Sequence, residues 1–293
     1  MTERDFAFLR DLLHRRSGLS LGTDKHYLVD SRLGMLCRRL GIEDIPALVE
    51  RLRGEPHGEL ESAVVDAMTT NETLFFRDRT PFDLFRNVIL PEKLAANAAS
   101  RSLRIWCAAV SSGQEAYSLA MILHEHAQSL AGWRVDLLGT DISAEVLEKA
   151  RQGLYTQFEV QRGLPIQMLL RHFRQEGDKW RVDEHIRGMV ELRRHNLLDP
   201  NAHFGQFDVI FCRNVLIYFD VPTKARVMDA LAQRLAPNGV FVLGAAETVI
   251  GISTSLVPDE THRGLYRDAG ARAVSSAPAG GGFVGLPLPP RGA

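Results

Sequence analysis

The sequence predicts an α/β protein, a doubly wound and mostly parallel sheet preceded by an all-helical domain. Three observations carry this. Residues 1 to about 75 place apolar side chains at helical spacing, without strand alternation. From about residue 100, apolar runs of strand length alternate with helical segments. A stretch at about 155–190 breaks that alternation and reads as an insertion. Strands alternating with helices imply right-handed crossovers and a sheet covered on both faces.

In chain order, Phe6, Leu9, Leu12 and Leu13 share one helical face, as do Val29, Leu33, Leu36, Cys37 and Leu40, and Leu60, Val64 and Met68. Gly18, Gly41 and the GEPHG stretch punctuate these helices. LRIWCAAV (103–110) predicts the first strand and 115–130 a helix; VDLLGTDI (135–142) predicts the second strand and 144–152 a helix. MVELRRHNLL (189–198) and FDVIFCRNV (207–215) are the third and fourth strands. Pro222 opens a helix over 222–235, and NGVFVLGAAE (238–247) is the fifth strand. Inside the insertion, 165–173 is helical and KWRVDE is strand-like. The end, rich in Gly, Ala and Pro with almost no charge, is expected to be disordered over 271–293.

The 293 residues, 45% hydrophobic and 24% charged, are ordinary for a globular chain. A formal net charge of −1 gives no global attraction to nucleic acid or membrane. Three widely spaced cysteines, each in an apolar context, argue for a reducing compartment and against disulfides or a CxxC metal site, so no metal is expected. The charged start MTERDFAFLRDLLHRR is not a secretory signal, and no apolar run reaches the ~18 residues of a membrane span. A cytoplasmic, monomeric protein is the expectation.

In an open parallel sheet the ligand lies beyond the carboxyl ends of the strands. Polar residues gather there in this sequence: SSGQE after the first strand, Asp141 after the second, Asn196 and Leu197 after the third, Arg213, Asn214 and Val215 after the fourth. A small-residue turn before a helix offers free N–H groups, and an acid after the second strand suits a ribose diol. The first turn, AAVSSGQE, lacks the glycine pattern of a pyrophosphate site and carries Glu115 instead. A carboxylate there would repel phosphate and attract an amino group, which favours S-adenosylmethionine over a dinucleotide. The run TTNET (69–73), poor in helix formers, marks the joint between the two halves and is followed by Phe75, Phe76 and Arg77.

TTNETLFFRD, WCAAVSSGQEAYSLAM, GTDIS, HNLLD and FDVIFCRNVLIYFD, in this order, resemble the CheR family of chemotaxis-receptor glutamate O-methyltransferases. The resemblance spans residues 1 to about 270. It implies a class I S-adenosylmethionine domain over 96–270 carrying a small antiparallel β-subdomain at 155–190, a helical domain over 1–75 and a linker over 76–95. It implies methyl transfer to glutamates of the chemoreceptor cytoplasmic helical bundle, with S-adenosylhomocysteine as product. Carried over by motif, Asn71, Thr73, Arg77, Glu115, Asp141, Asn196, Leu197, Asn214 and Val215 would contact the cofactor. Arg77 and Tyr218 would lie beside the transferred methyl and the incoming carboxylate. The sequence departs from the family at Ala109, Gln114 and Ala116, where glycine, glutamate and proline are common.

A carboxylate is already a nucleophile at neutral pH, so this reaction needs no general base, and no convincing acid/base pair is present. The tip of the fourth strand, RNVLIYF, lacks the Asn/Asp-Pro-Pro-aromatic motif of exocyclic-amine methyltransferases. Arg32, Arg38 and Arg39 lie off the apolar stripe of the helix at 27–40 and, on the resemblance, would dock on an acidic receptor helix. The compact stretch at 172–192 points to action independent of a receptor C-terminal pentapeptide. The competing readings are a methyltransferase with another acceptor and a non-catalytic sensing or scaffold module.

Overall fold

The computed structural model describes residues 1–55 and 58–270; the expected disordered tail lies outside the described residues. The helical domain comprises α1 (Glu3–Ser17), α2 (His26–Leu40), α3 (Ile45–Gly54) and α4 (Glu59–Met68). A capping box between Thr2 and Asp5 starts α1, and Gly18 at φ 76° stops it in the left-handed conformation that glycine adopts without strain. The predicted apolar faces meet here: Leu9, Leu13, Val29, Leu33, Leu48 and Val64 are fully buried in one cluster.

The joint at 76–95 is itself largely helical. It runs through α5 (Thr80–Leu84), a π-helical turn (Phe85–Ile89) and α6 (Leu90–Ala96). Phe82 and Phe85 pack against Phe211 with ring centroids 6.3 and 6.0 Å apart, so the joint is bound into the second domain's core.

That domain begins with β1 (Ser102–Ala108), α7 (Gln114–Glu125), β2 (Arg134–Asp141) and α8 (Ala144–Gln152). The insertion follows: β3 (Leu154–Thr156), α9 (Gln157–Gln161), α10 (Ile166–His172), β4 (Phe173–Glu176), β5 (Lys179–Val182) and α11 (Glu184–Arg187). The main sheet resumes with β6 (Val190–Arg194), β7 (Phe207–Cys212), α12 (Val221–Ala232), β8 (Leu235–Leu243), β9 (Leu256–Pro258) and β10 (Leu265–Asp268). The seven-stranded sheet has the order β6-β2-β1-β7-β8-β10-β9, and β3-β5-β4 form a separate antiparallel sheet. All pairings from β6 to β8 are parallel; β10 runs antiparallel to both β8 and β9. Alternate side chains of β1 feed different layers: Ile105 and Cys107 one core, Trp106 and Ala108 the other.

Several bounds differ from the sequence expectation. The helix predicted over 115–130 ends at Glu125, since its buried run stops at Leu123. The third and fourth strands end at Arg194 and Cys212, earlier than expected, which leaves their polar residues beyond the sheet. β9 and β10 were not predicted; at three and four residues they are too short to show alternation. Among the described residues no helix is long and apolar enough to cross a membrane. Cys37, Cys107 and Cys212 are free and buried.

Candidate active site

The chain leaves β1 toward β2 and β6 on one side, then returns to β7 and β8 on the other, so the strand order reverses between β1 and β7. At such a switch point two crossovers diverge and open a crevice beyond the strand ends. A cleft of about 980 Å³, including its open mouth, lies there. All ten residues expected at the cofactor or the acceptor line it. Asn71, Thr73 and Arg77 come from the segment between α4 and α5, Glu115 from the first turn of α7 and Asp141 from the end of β2. Asn196 and Leu197 follow β6, while Asn214, Val215 and Tyr218 follow β7.

Backbone strain concentrates around it. Eight non-glycine residues among those described have positive φ. Six of them lie in three segments that wall the cleft: Phe76, Asp78 and Arg79; Ala109 and Ser111; Asn214. Left-handed backbone costs a residue with a Cβ roughly 1–2 kcal/mol, and such strain persists where surrounding contacts over-determine it. The contacts are present. Asp141 Oδ2 accepts from Ser111 N at 2.8 Å and Oδ1 from Ser143 N at 3.0 Å, while Ser111 Oγ donates to the Asn71 carbonyl at 2.9 Å. Burial pushes the Asp141 carboxyl up, and these backbone N–H groups pull it down.

Arg213 explains the polar break in the apolar run of the fourth strand. Its buried guanidinium donates to Glu115 Oε2 and Asp78 Oδ2, each at 2.8 Å, and to the Arg77 carbonyl at 2.9 Å. One side chain thus ties β7, α7 and the joint together. Burial pushes the Glu115 carboxyl up, with Arg213 opposing. Arg77 itself donates to the Glu72 carbonyl at 2.9 Å.

Sequence reasoning missed Glu247, which it placed at the end of a strand. The strand ends at Leu243, and the Glu247 carboxylate turns back to accept from the backbone N–H groups of Asn214, Val215, Leu216 and Gly244 at 2.7–3.1 Å. It holds the Asn214 loop in its left-handed conformation, φ 57°. The available signal was a lone acid four residues past an apolar run in a Gly/Ala turn, which is weak.

The helical domain closes one side. Ser17 and Leu19 line the cleft, Asn196 Nδ2 donates to the Arg16 carbonyl at 2.6 Å, and Ser20 N donates to the Tyr218 carbonyl at 2.9 Å. The expected docking arginines divide. Arg38 and Arg39 are exposed, with Arg39 3.6 Å from Glu145 on α8. Arg32 departs from the expectation: its guanidinium donates to the carbonyls of Met68 and Thr69 at 2.6 and 3.0 Å. Those carbonyls end α4 without intrahelical partners, so a nearby cation is drawn to them.

Two family models match the chain: the CheR methyltransferase all-alpha domain over residues 4–69, and the CheR methyltransferase SAM binding domain over residues 71–262. The chain belongs to the CheR methyltransferase family. Chemotaxis protein methyltransferase Cher2 of Pseudomonas putida is 42% identical over 252 residues, covering 85% of this chain and 91% of that protein. Chemotaxis protein methyltransferase 1 of Pseudomonas aeruginosa is 43% identical over 249 residues, covering 84% and 90%. A more distant relative, the chemotaxis protein methyltransferase of Borreliella burgdorferi, is 33% identical over 257 residues, covering 86% and 90%.

This CheR chain is thus a SAM-dependent methyltransferase, and its cleft fits that cofactor. Two buried carboxylates, Glu115 and Asp141, stand at the strand tips where a dinucleotide site would need to accept phosphate. They suit a ligand with an ammonium group, a ribose and no phosphate. The departure from the family at Ala109 falls on one of the strained positions, φ 69°, where glycine would be unstrained.

Proposed function

We propose that the chain esterifies glutamate side chains on the cytoplasmic helical bundle of chemoreceptors and so serves sensory adaptation. The observation that carries this reading is the pairing of Arg77 and Tyr218 with two committed carboxylates in one cleft. Asp141 is held by backbone N–H groups and Glu115 by Arg213, so neither is placed to deprotonate an acceptor. A cleft that offers Arg77 and Tyr218 as donors to an anion suits an acceptor that arrives ionised. Glutamate does so at neutral pH, its carboxyl titrating near 4.3. The relatives' names, over most of both chains, support the chemotaxis assignment.

When bound, the cofactor supplies an electrophilic methyl on a sulfonium. Asp141 would take the ribose hydroxyls on the remaining lone pairs of its carboxylate. Glu115, fixed by Arg213, would hold the amino group of the methionine moiety. Asn71, Thr73, Asn196, Leu197, Asn214 and Val215 would wall the cofactor. Arg77 would hold the acceptor carboxylate by a charge-assisted bond and Tyr218 by a neutral one. Alignment for in-line displacement and exclusion of water then supply the catalysis. The β4–β5 hairpin is tight, turning at Gly177, which supports action without a receptor pentapeptide. Binding of such a peptide in titration calorimetry would overturn that part.

The test is transfer of tritiated methyl from labelled S-adenosylmethionine to a panel of chemoreceptor cytoplasmic domains. Base-labile label that Arg77→Ala abolishes is the expected result. Base-stable label, or cofactor binding with no transfer to any receptor, would move the acceptor elsewhere.

A further inference from the structure

Away from the cleft, three imidazoles from separate segments converge. His124 lies in the last turn of α7, His172 ends α10 and His185 sits on α11, so one comes from the main domain and two from the insertion. Ring centroids are 4.6 Å apart for His124–His185, 5.4 Å for His124–His172 and 5.9 Å for His172–His185. One ring nitrogen of each lies within 4.8 Å of the others. His172 is fully buried, and neither of its ring nitrogens has a hydrogen-bond partner. A buried imidazole left in that state is unfavourable, so a retained one calls for a partner.

We propose that His124, His172 and His185 form a binding site for a zinc-class divalent cation that staples the inserted subdomain to α7. The donor chemistry fits. Three neutral imidazoles with a fourth position open to water make a common zinc ligand set, whereas calcium and magnesium require oxygen. His172, fully buried with both ring nitrogens unpartnered, offers a lone pair to a cation. Tetrahedral ligation at about 2.0–2.1 Å brings ligand nitrogens to about 3.4 Å apart. His124 and His185 are exposed and can swing in to close the remaining gap. The cation would join both ends of one lever. α7 begins at the cleft with Glu115 and ends at His124, so a staple there couples the insertion to the helix that carries a cleft carboxylate.

The experiment uses the full chain without an affinity tag. Zinc chloride is titrated calorimetrically into wild type, His124→Ala and His185→Ala, with bound metal counted by mass spectrometry after dialysis. The expected result is one zinc per wild-type chain, an affinity at least tenfold weaker in each variant, and a zinc-dependent rise in melting temperature confined to wild type. Calcium and magnesium chloride are expected to give no heat. Both substituted residues are exposed, so the variants should fold, which a far-ultraviolet circular dichroism spectrum confirms. Equal zinc binding in all three proteins, or none in wild type, overturns the site. Neither result bears on the methyltransferase reading.

Discussion

The guanidinium of Arg213, just past the tip of β7, lies 2.8 Å from the Glu115 carboxylate in the first turn of α7. Both side chains are buried, Arg213 almost completely. Removing one partner of such a pair strands a charge, at a cost of about 3–5 kcal/mol, whereas replacing both can be close to neutral. Arg213→Met is expected to lower stability in urea melts by that amount. Arg213→Met combined with Glu115→Gln should recover most of the stability, yet bind S-adenosylmethionine at least tenfold more weakly than wild type. Binding at wild-type strength in the double variant would remove Glu115 from the cofactor site.

Asp141 makes a sharper test of the cleft, because its carboxylate also organises the Ser111 turn. In Asp141→Asn an amide replaces one acceptor and faces a backbone N–H. Loss of one such bond costs about 1–3 kcal/mol of stability. Cofactor affinity is expected to fall at least tenfold by calorimetry.

Ala109 runs against the usual effect of glycine. Ala→Gly normally destabilises through the entropy of the unfolded chain, by about 0.4–1 kcal/mol. At φ 69° that cost is opposed by relief of about 1–2 kcal/mol of left-handed strain. Ala109→Gly is therefore expected to be neutral or slightly stabilising by differential scanning calorimetry. A loss above about 1 kcal/mol would show that the Cβ makes compensating contacts.

These three sites differ in how far the sequence exposed them. The strand-tip residues were legible because a parallel sheet sends every strand's carboxyl end to one side, so apolar runs ending in Asp141, Asn196 and Asn214 declare a shared cleft. Arg213 was legible as a question: the sequence places it at a strand end, and its partners Glu115 and Asp78 emerge only when β7, α7 and the joint are packed. Glu247 was hidden, since it acts through four backbone N–H groups that carry no side-chain signal. Arg32 misled because spacing off the apolar stripe does not distinguish solvent from the end of a neighbouring helix. The three histidines are 48 and 13 residues apart in sequence, and only the insertion's fold brings them together.

Acid should act on the base of the sheet. Glu92 on α6 makes a two-pronged pair with Arg267 on β10, both contacts 2.7 Å. Arg267 holds the Glu92 carboxyl well below its usual 4.5, at about 2. A carboxyl depressed in the folded state contributes stability above its unfolded pKa and loses it as pH falls through the folded one. Glu92→Gln is expected to melt earlier than wild type at pH 7, by an amount that partial exposure moderates. The gap should close between about 4.5 and about 2. A gap constant over that range would mean that the pair contributes by packing alone.

Substrate docking is expected to separate from cofactor binding. Reversing Arg38 and Arg39 to Glu, on the exposed end of α2, is expected to slow receptor methylation severalfold while leaving calorimetric cofactor affinity unchanged. Equal loss of both would place these residues in the fold rather than the docking face.

The most direct test of glutamate esterification is to map the modified atom. A receptor cytoplasmic domain is incubated with the chain and S-adenosylmethionine, digested, and sequenced by tandem mass spectrometry. Single methyl groups on glutamate side chains, removed by mild base and absent with Arg77→Ala, are the expected result. Methyl groups on lysine, glutamine or a backbone amine would contradict it.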